Sequence, residues 1–211
     1  PDPRTNGQGA AWLRDRGVAV EMGLLADEAA AAMAGFVLRQ TLGRPHVTLK
    51  LGLSLDGRIA LANGSSRWIT GPQARAHAHL ERARHDAILV GGGTLRADAP
   101  RLDVRLPGLE DRAPRRLLLT RGPAPGNWER IGAPEEIATL DRVDHLLVEG
   151  GAGAAAAFLR ADLIDRLLLY RAPILIGDGL AGGWVDQVVV DLGGVKTTAL
   201  DHPPARRGIP Q

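Results

Sequence analysis

The chain has 211 residues, 45% of them hydrophobic, with 26 Lys+Arg against 24 Asp+Glu and a formal net charge of +2. Cysteine is absent, which excludes disulfides, Cys-ligated zinc and thiol nucleophiles, and the scattered arginines among nearly as many acids read as a solvated surface rather than a nucleic-acid footprint. No apolar run reaches the ~18 residues that a membrane span needs and the opening PDPRTNGQG has no signal-peptide pattern, so the expectation is a cytoplasmic protein of one domain, or of one domain plus a fragment.

In chain order, a turn-rich lead-in precedes a short helix over 10–16, a strand over 18–22 and an Ala-rich helix over 26–42 with Asp27 near its start. This segment has an α/β rhythm but is too short to bury a core of its own. Gly43-Arg44-Pro45 marks the boundary. Residues 47–53 then form an apolar, β-branched strand interrupted by Lys50; the only other lysine in the chain is Lys196. A lysine in a buried strand costs free energy unless something pairs with it. Ser54-Leu55-Asp56-Gly57-Arg58 is a turn signal, 59–61 a short apolar run, and Asn63-Gly64-Ser65-Ser66 a second loop. Trp68-Ile69-Thr70 leads to a helix entry at Gly71-Pro72. Two polar loops that follow two short strands can share one sheet edge, and in open α/β sheets ligands bind beyond the strand carboxyl ends.

The next helix, 72–84, starts on Pro72. His77 and His79 lie on it at i, i+2, which do not share a face, so no metal site is expected. A buried strand over 87–90 runs into Gly91-Gly92-Gly93-Thr94. Strand, glycine loop and helix is the layout in which backbone N–H groups approach phosphates; a tight turn is the alternative. Residues 95–105 alternate charge, with Pro100 breaking any helix, and read as a solvated loop. A strand over 116–120, a Pro/Gly loop over 122–134 and a strand over 145–148 follow. Glu149-Gly150-Gly151-Ala152-Gly153 then opens an Ala-rich helix that runs to about Ala161. This is not the G-x-G-x-x-G fingerprint, so a standard Rossmann site is not indicated. A strand over 166–170 continues at 172–176 past Pro173. Gly177-Asp178-Gly179 turns the chain, 185–190 reads as another strand, and the tail from Thr197 is expected to fray. Two glycine-rich strand ends, a lysine in a strand and an acid at a strand end point to a dinucleotide-using enzyme; composition and spacing reach no further.

Four blocks in order, LKLGLSLDGRIA, SSRWITGPQAR, DAILVGGGTLRADAPRLDVR and LLVEGGAGAAAAFLRADLIDRLLLYRAPILIGDG, resemble the reductase domain of the bifunctional riboflavin-biosynthesis deaminase/reductase. The resemblance covers about residues 44–179. It implies an α/β, dihydrofolate-reductase-like fold: a mixed, mostly parallel sheet flanked by helices, with 44–211 as the reductase domain. Residues 1–43 resemble the end of the deaminase domain. The deaminase zinc motif needs His-x-Glu and two cysteines; without them no deaminase activity and no metal are expected.

The resemblance implies reduction of 5-amino-6-(5-phosphoribosylamino)uracil to the ribitylamino product with NADPH, in a cytoplasmic homodimer whose partner is this small molecule, not nucleic acid or membrane. Two alternatives stay open: a reductase acting on the 2,5-diamino pyrimidinone before deamination, and a binding domain without turnover. Gly52, Trp68, Thr94, Asp98 and the stretch Gly151, Ala152, Gly153, Ala154 fall at cofactor positions. Ser66, Arg82, Leu102, Arg105 and Glu149 fall at substrate positions. Lys50, Asp56 and Glu149 match positions at the reacting centre. Arginine suits the substrate phosphate through its bidentate fork. Glu149 can accept hydrogen bonds from ribityl hydroxyls, and Lys50 can pair with it and help supply a proton. Each has a plainer reading: a structural ion pair for Lys50, a helix-start acid for Glu149, a turn aspartate for Asp56. Thr120-Arg121 stands where the family shows Asp-Ser, and Arg121 there either meets the 2′-phosphate of NADPH or points away. The segment between Arg121 and His145 is short, as if one strand–helix unit were missing, and the sequence after Gly179 does not match the family's closing strands.

Overall fold

In the computed structural model, which describes residues 2, 6–64, 69–178 and 180–181, the strand carrying Lys50 lies inside the sheet. The described elements are α1 (Gln8–Arg14), α2 (Ala26–Ala32), α3 (Ala34–Leu42), β1 (His46–Leu53), β2 (Arg58–Ala60), α4 (Pro72–Ala83), β3 (Ala87–Gly91), α5 (Gly92–Asp98), β4 (Arg115–Leu119), β5 (Glu129–Ile131), β6 (His145–Val148), α6 (Ala152–Arg160), β7 (Arg166–Arg171) and β8 (Leu180–Ala181). Along β1, Val47, Leu49, Leu51 and Leu53 are all buried. Such near-continuous apolar strands belong to parallel sheets covered on both faces. β1 pairs in parallel with β6 on one side and β7 on the other. The six-stranded sheet has the order β5-β4-β3-β6-β1-β7, and every pairing in it is parallel. β2 and β8 form a separate antiparallel pair. This is the mixed, mostly parallel α/β architecture expected.

Helices cover the sheet because their apolar stripes need burial. Phe158 and Ala155 of α6, both fully buried, pack with Val47, Leu49, Leu89, Leu146 and Val148. A second cluster joins Ile88, Val90, Leu118 and Leu147 to Leu102 of the loop after α5. Phe158 is the largest of the fully buried side chains. Phe158→Ala is expected to cost ~3–5 kcal/mol, transfer plus cavity, read as a lower urea midpoint. A loss below ~1 kcal/mol would show that α6 slides in to fill the space.

Carboxylates fasten the amino-terminal edge of the sheet. Asp165 accepts hydrogen bonds from Arg44 at 2.6 and 2.9 Å and from the Val47 N–H at 2.8 Å. Asp86 accepts from the N–H groups of Asp144 and His145, both at 2.9 Å. The rings of His46 and His85 both pack against His145; burial lowers His46 to about 4, which leaves it neutral at physiological pH.

The structure departs from the sequence reading in several places. Residues 18–22 form no strand. Apolar pattern alone does not make one without a partner to accept its backbone hydrogen bonds. The helix expected over 26–42 breaks at Met33 (φ −114°, ψ 26°) into α2 and α3. α1 and α2 bury no residue. α3 docks through Gly35, where a Cβ would come within 2.5 Å of the Asp144 carbonyl oxygen, and through Arg39, which pairs with Asp144 at 3.1 Å and donates to the Val143 carbonyl. Pro100 does not prevent a helix before it: α5 ends at Asp98 and is capped by Ala99, whose φ is +41°. The segment between Arg121 and His145 holds β5 and a 3-10 stretch, Pro134–Thr139. Residues 172–176 are irregular rather than extended into a strand. The strand expected at 185–190 and the tail lie outside the described residues.

Candidate active site

Parallel strands bring their carboxyl ends to one side of a sheet, and the loops that leave them line whatever opens there. At that side is a cleft of about 840 Å³. β3 and β6 are neighbours, so the two glycine-rich loops sit side by side. Thr94 of α5 clasps them: its hydroxyl oxygen accepts a hydrogen bond from the Gly151 N–H at 3.1 Å. Close approach explains the glycine at 150, where a Cβ would stand 2.6 Å from Ala154 Cβ. Gly91, Thr94, Asp98, Gly151, Gly153 and Ala154 line the cleft, while Ala152 begins α6 without facing it. Gly52 of β1 also lines the cleft; a Cβ there would meet Thr70 at 3.3 Å.

The floor holds the charges. Lys50 Nζ is 3.1 Å from Glu149 Oε1. Arg82, reaching over from α4, donates to the same carboxylate twice, from Nε to Oε2 and from Nη2 to Oε1, both at 2.8 Å. Its remaining nitrogen, Nη1, donates to the Asp103 carbonyl at 3.0 Å. The side chains of Lys50, Glu149 and Arg82 are 19%, 13% and 12% exposed. Burial pushes the Glu149 carboxyl up, but Lys50 and Arg82 outweigh it and bring it down to about 2. Glu149 is therefore an ionised acceptor flanked by two cations. The lysine-in-a-strand and the acid-at-a-strand-end are one unit, and it faces the cleft.

The other expected site residues fall as follows. Arg105 lines the cleft mouth, its exposed guanidinium 3.2 Å from Asp103, which also pairs with Arg101 at 2.8 Å. Leu102 lines the cleft too, with its side chain in the core and its φ at +52°. Asp56 is not on the cleft wall. Its carboxylate accepts from the Ser54 hydroxyl at 2.6 Å and from the N–H groups of Ile176 and Gly177, and the Ser54 and Gly177 hydrogen bonds lower it to about 2. It ties two loops together. Ser66 and Trp68 lie outside the described residues. Among the described residues no group of three or more His, Asp or Glu is placed to hold a metal, and no helix is long and apolar enough to cross a membrane.

Tyr170 is not singled out in the sequence, where His77 and His79 are weighed only as metal ligands. Tyr170 of β7 lines the cleft, and its ring lies 5.5 Å from Lys50 Nζ. Its hydroxyl is 2.7 Å from His77 Nδ1. His79 takes Asp103 instead: its Nδ1 is 3.0 Å from the Asp103 carbonyl. An aromatic inside an apolar strand carries no mark of a site. The histidines at i, i+2 point to different partners, as helix geometry requires.

A parallel α/β sheet with this carboxyl-end cleft is a dihydrofolate-reductase-like domain. The chain belongs to the RibD C-terminal domain family, whose profile matches residues 45–202. It is 42% identical over 200 residues to the riboflavin biosynthesis protein RibD of Mycobacterium tuberculosis, covering 87% of this chain and 58% of that protein. It is 37% identical over 198 residues to RibD of Corynebacterium ammoniagenes, covering 86% and 58%. The chain thus spans 58% of the length of these curated relatives. Among solved structures, RibD of Acinetobacter baumannii superposes with a TM-score of 0.77 at 31% identity, covering 86% of this chain and 61% of that one. A Thermotoga maritima protein described as a diaminohydroxyphosphoribosylaminopyrimidine deaminase/5-amino-6-(5-phosphoribosylamino)uracil reductase gives a TM-score of 0.75 at 28% identity, covering 90% and 63%.

Proposed function

We propose that this chain is an NADPH-dependent reductase that converts 5-amino-6-(5-phosphoribosylamino)uracil to its ribitylamino product in riboflavin biosynthesis. The observation that carries the reading is the Lys50–Glu149–Arg82 cluster on the floor of a cleft walled by two glycine loops. The loops fit a dinucleotide. Gly93 and Gly153 line the cleft with nothing within 4 Å of where a Cβ would stand, so the backbone there is open to a ligand, and the free N–H groups at the start of α6 favour a phosphate. Bound NADPH would supply hydride. Glu149 accepts hydrogen bonds from the pyrimidine or the sugar hydroxyls, Lys50 keeps a positive charge beside the reacting carbon, and Arg82 fixes the carboxylate in place. Arg105, exposed at the mouth, takes the substrate phosphate. Arg121, exposed at the carboxyl end of β4, meets the 2′-phosphate of the cofactor.

The direct test is single-turnover oxidation of NADPH in the presence of the pyrimidine substrate. Oxidation that follows substrate addition supports a reductase; nucleotide binding with no oxidation means a binding domain. Cofactor choice is tested by melting. NADPH at ~100 times its dissociation constant is expected to add ~2.7 kcal/mol and raise Tm, while NADH at the same concentration leaves Tm near the free value. Equal shifts would remove the 2′-phosphate contact.

Residues 1–43 are proposed to be the end of a deaminase-type domain packed against the reductase domain. Trp12, Leu13, Met22, Leu24 and Leu25 are exposed there, an apolar surface that suits contact with more protein.

A further inference from the structure

Tyr170 is the single tyrosine of the chain, and its hydroxyl has no part in the cluster or the glycine loops. It stands on β7 opposite Gly52 of β1, with its ring under Lys50. Its hydroxyl meets Nδ1 of His77 at 2.7 Å, and the two rings meet edge to face, 5.8 Å between centroids. His77 is 45% exposed, and its other nitrogen, Nε2, is 3.9 Å from Glu81 Oε1. Glu81 is buried and is held by Arg166 at 2.7 Å and Arg84 at 3.2 Å. A polar path therefore runs from solvent through His77 and Tyr170 to the cleft, with a fixed carboxylate behind the imidazole.

The reductase reading, on which this inference rests, needs one proton for each hydride. Hydride forms a C–H bond at the sugar carbon of the ring-opened imine. The C=N π bond breaks and its electron pair goes to nitrogen, which takes a proton and becomes N–H; the imine is reduced and the nicotinamide oxidised. We propose that the Tyr170 hydroxyl delivers this proton, and that His77 replaces it from Nδ1–H while taking a solvent proton at Nε2. His77 ends as its other tautomer and the net proton comes from water. Lys50 is the less suitable donor, because giving up its proton would leave the buried Glu149 carboxylate to Arg82 alone. Burial, with the charges of Glu81 and Glu149, raises the Tyr170 phenol above its ordinary value, so it stays protonated until the nitrogen gains its electron pair.

Tyr170→Phe keeps the ring under Lys50 and removes only the O–H. Single-turnover NADPH oxidation is expected to slow by ~10²–10⁴, the usual weight of a positioned general acid. His77→Ala slows it comparably, and added imidazole restores it; imidazole does not restore Tyr170→Phe. Wild-type rates in either variant overturn the relay, and so does a His77→Ala defect that imidazole leaves untouched. The lone tyrosine gives a second readout without cofactor or substrate, the ultraviolet absorbance of tyrosinate. In the relay's starting tautomer Nδ1–H of His77 donates to the phenol oxygen and favours the phenolate, so its loss in His77→Ala should push tyrosinate formation to higher pH than in the unsubstituted protein. Coincident titration curves overturn the pairing whether or not the protein turns over, whereas absence of turnover in the unsubstituted protein bears on the reductase reading alone.

Discussion

Glu149→Gln is expected to lower turnover by ~10²–10⁴ while the affinity for NADPH stays within a few fold. The amide keeps the shape of the carboxylate and removes its charge. Lys50 and Arg82, both less than a fifth exposed, then face each other across a neutral group. Two desolvated cations without a counterion repel, and the lysine sheds its proton more readily. The site loses its anchor for the substrate and the positive charge beside the reacting carbon together. Single-turnover kinetics separate this from weaker binding, because saturating substrate does not restore the rate. Unchanged turnover in the variant would remove Glu149 from the reaction. The same carboxylate sets an acid boundary. Its folded value is lowered, to about 2, so its contribution to stability is fully present above the ordinary carboxylate range and is lost as pH falls through that range toward 2. Between pH 5 and 8 no activity limb is expected from Glu149.

The Lys50–Glu149 pair was legible in the sequence for a simple physical reason. A lysine inside an apolar strand must be compensated, and acids at the ends of other strands are the available partners. The glycine loops were legible too, since strand, glycine run and helix follow one another twice. Arg82 as the second partner of Glu149 was not. On α4 it is one charge among several, and only the tertiary fold shows which of them turns inward. The same limit applies to Tyr170, which in sequence is one more apolar position of β7. Among the elements, residues 18–22 have strand-like composition but no neighbouring strand among the described residues, and near the break at Met33 the local sequence offers only Gly35, a weak breaker in an Ala-rich stretch. β5 was hidden because three residues of a Pro/Gly segment pair with Leu117, Leu118 and Leu119 of β4, a long-range contact that local pattern does not carry. Asp56 lies at the turn its local pattern indicates, and its carboxylate accepts from the N–H groups of Ile176 and Gly177, distant partners that local pattern does not carry.

Arg82→Ala and Arg105→Ala are expected to differ in kind, although the resemblance puts both arginines at substrate positions. Arg82 has three nitrogens engaged by Glu149 and the Asp103 carbonyl, so its fork is occupied before any phosphate arrives. Its removal leaves a buried carboxylate with Lys50 alone and breaks one of two ties between α4 and the Asp103 carbonyl, the other being His79. Removing one partner of a buried pair costs ~3–5 kcal/mol, and Arg82→Ala should unfold at lower urea by an amount of that order. Its turnover should fall on phosphorylated and dephosphorylated substrate alike, because Glu149 is displaced in both cases. Arg105 is 60% exposed and shares Asp103 with Arg101, so it can swing to an incoming anion without uncovering a buried charge. Arg105→Ala should leave stability within ~0.5 kcal/mol, as surface substitutions do. It should raise KM for the phosphorylated substrate about ten- to hundredfold, the weight of a charge-assisted hydrogen bond. The dephosphorylated substrate should be indifferent to it. A loss confined to the phosphorylated substrate in Arg82→Ala would return that arginine to the phosphate site, and equal losses on both substrates in Arg105→Ala would make Arg105 a structural residue.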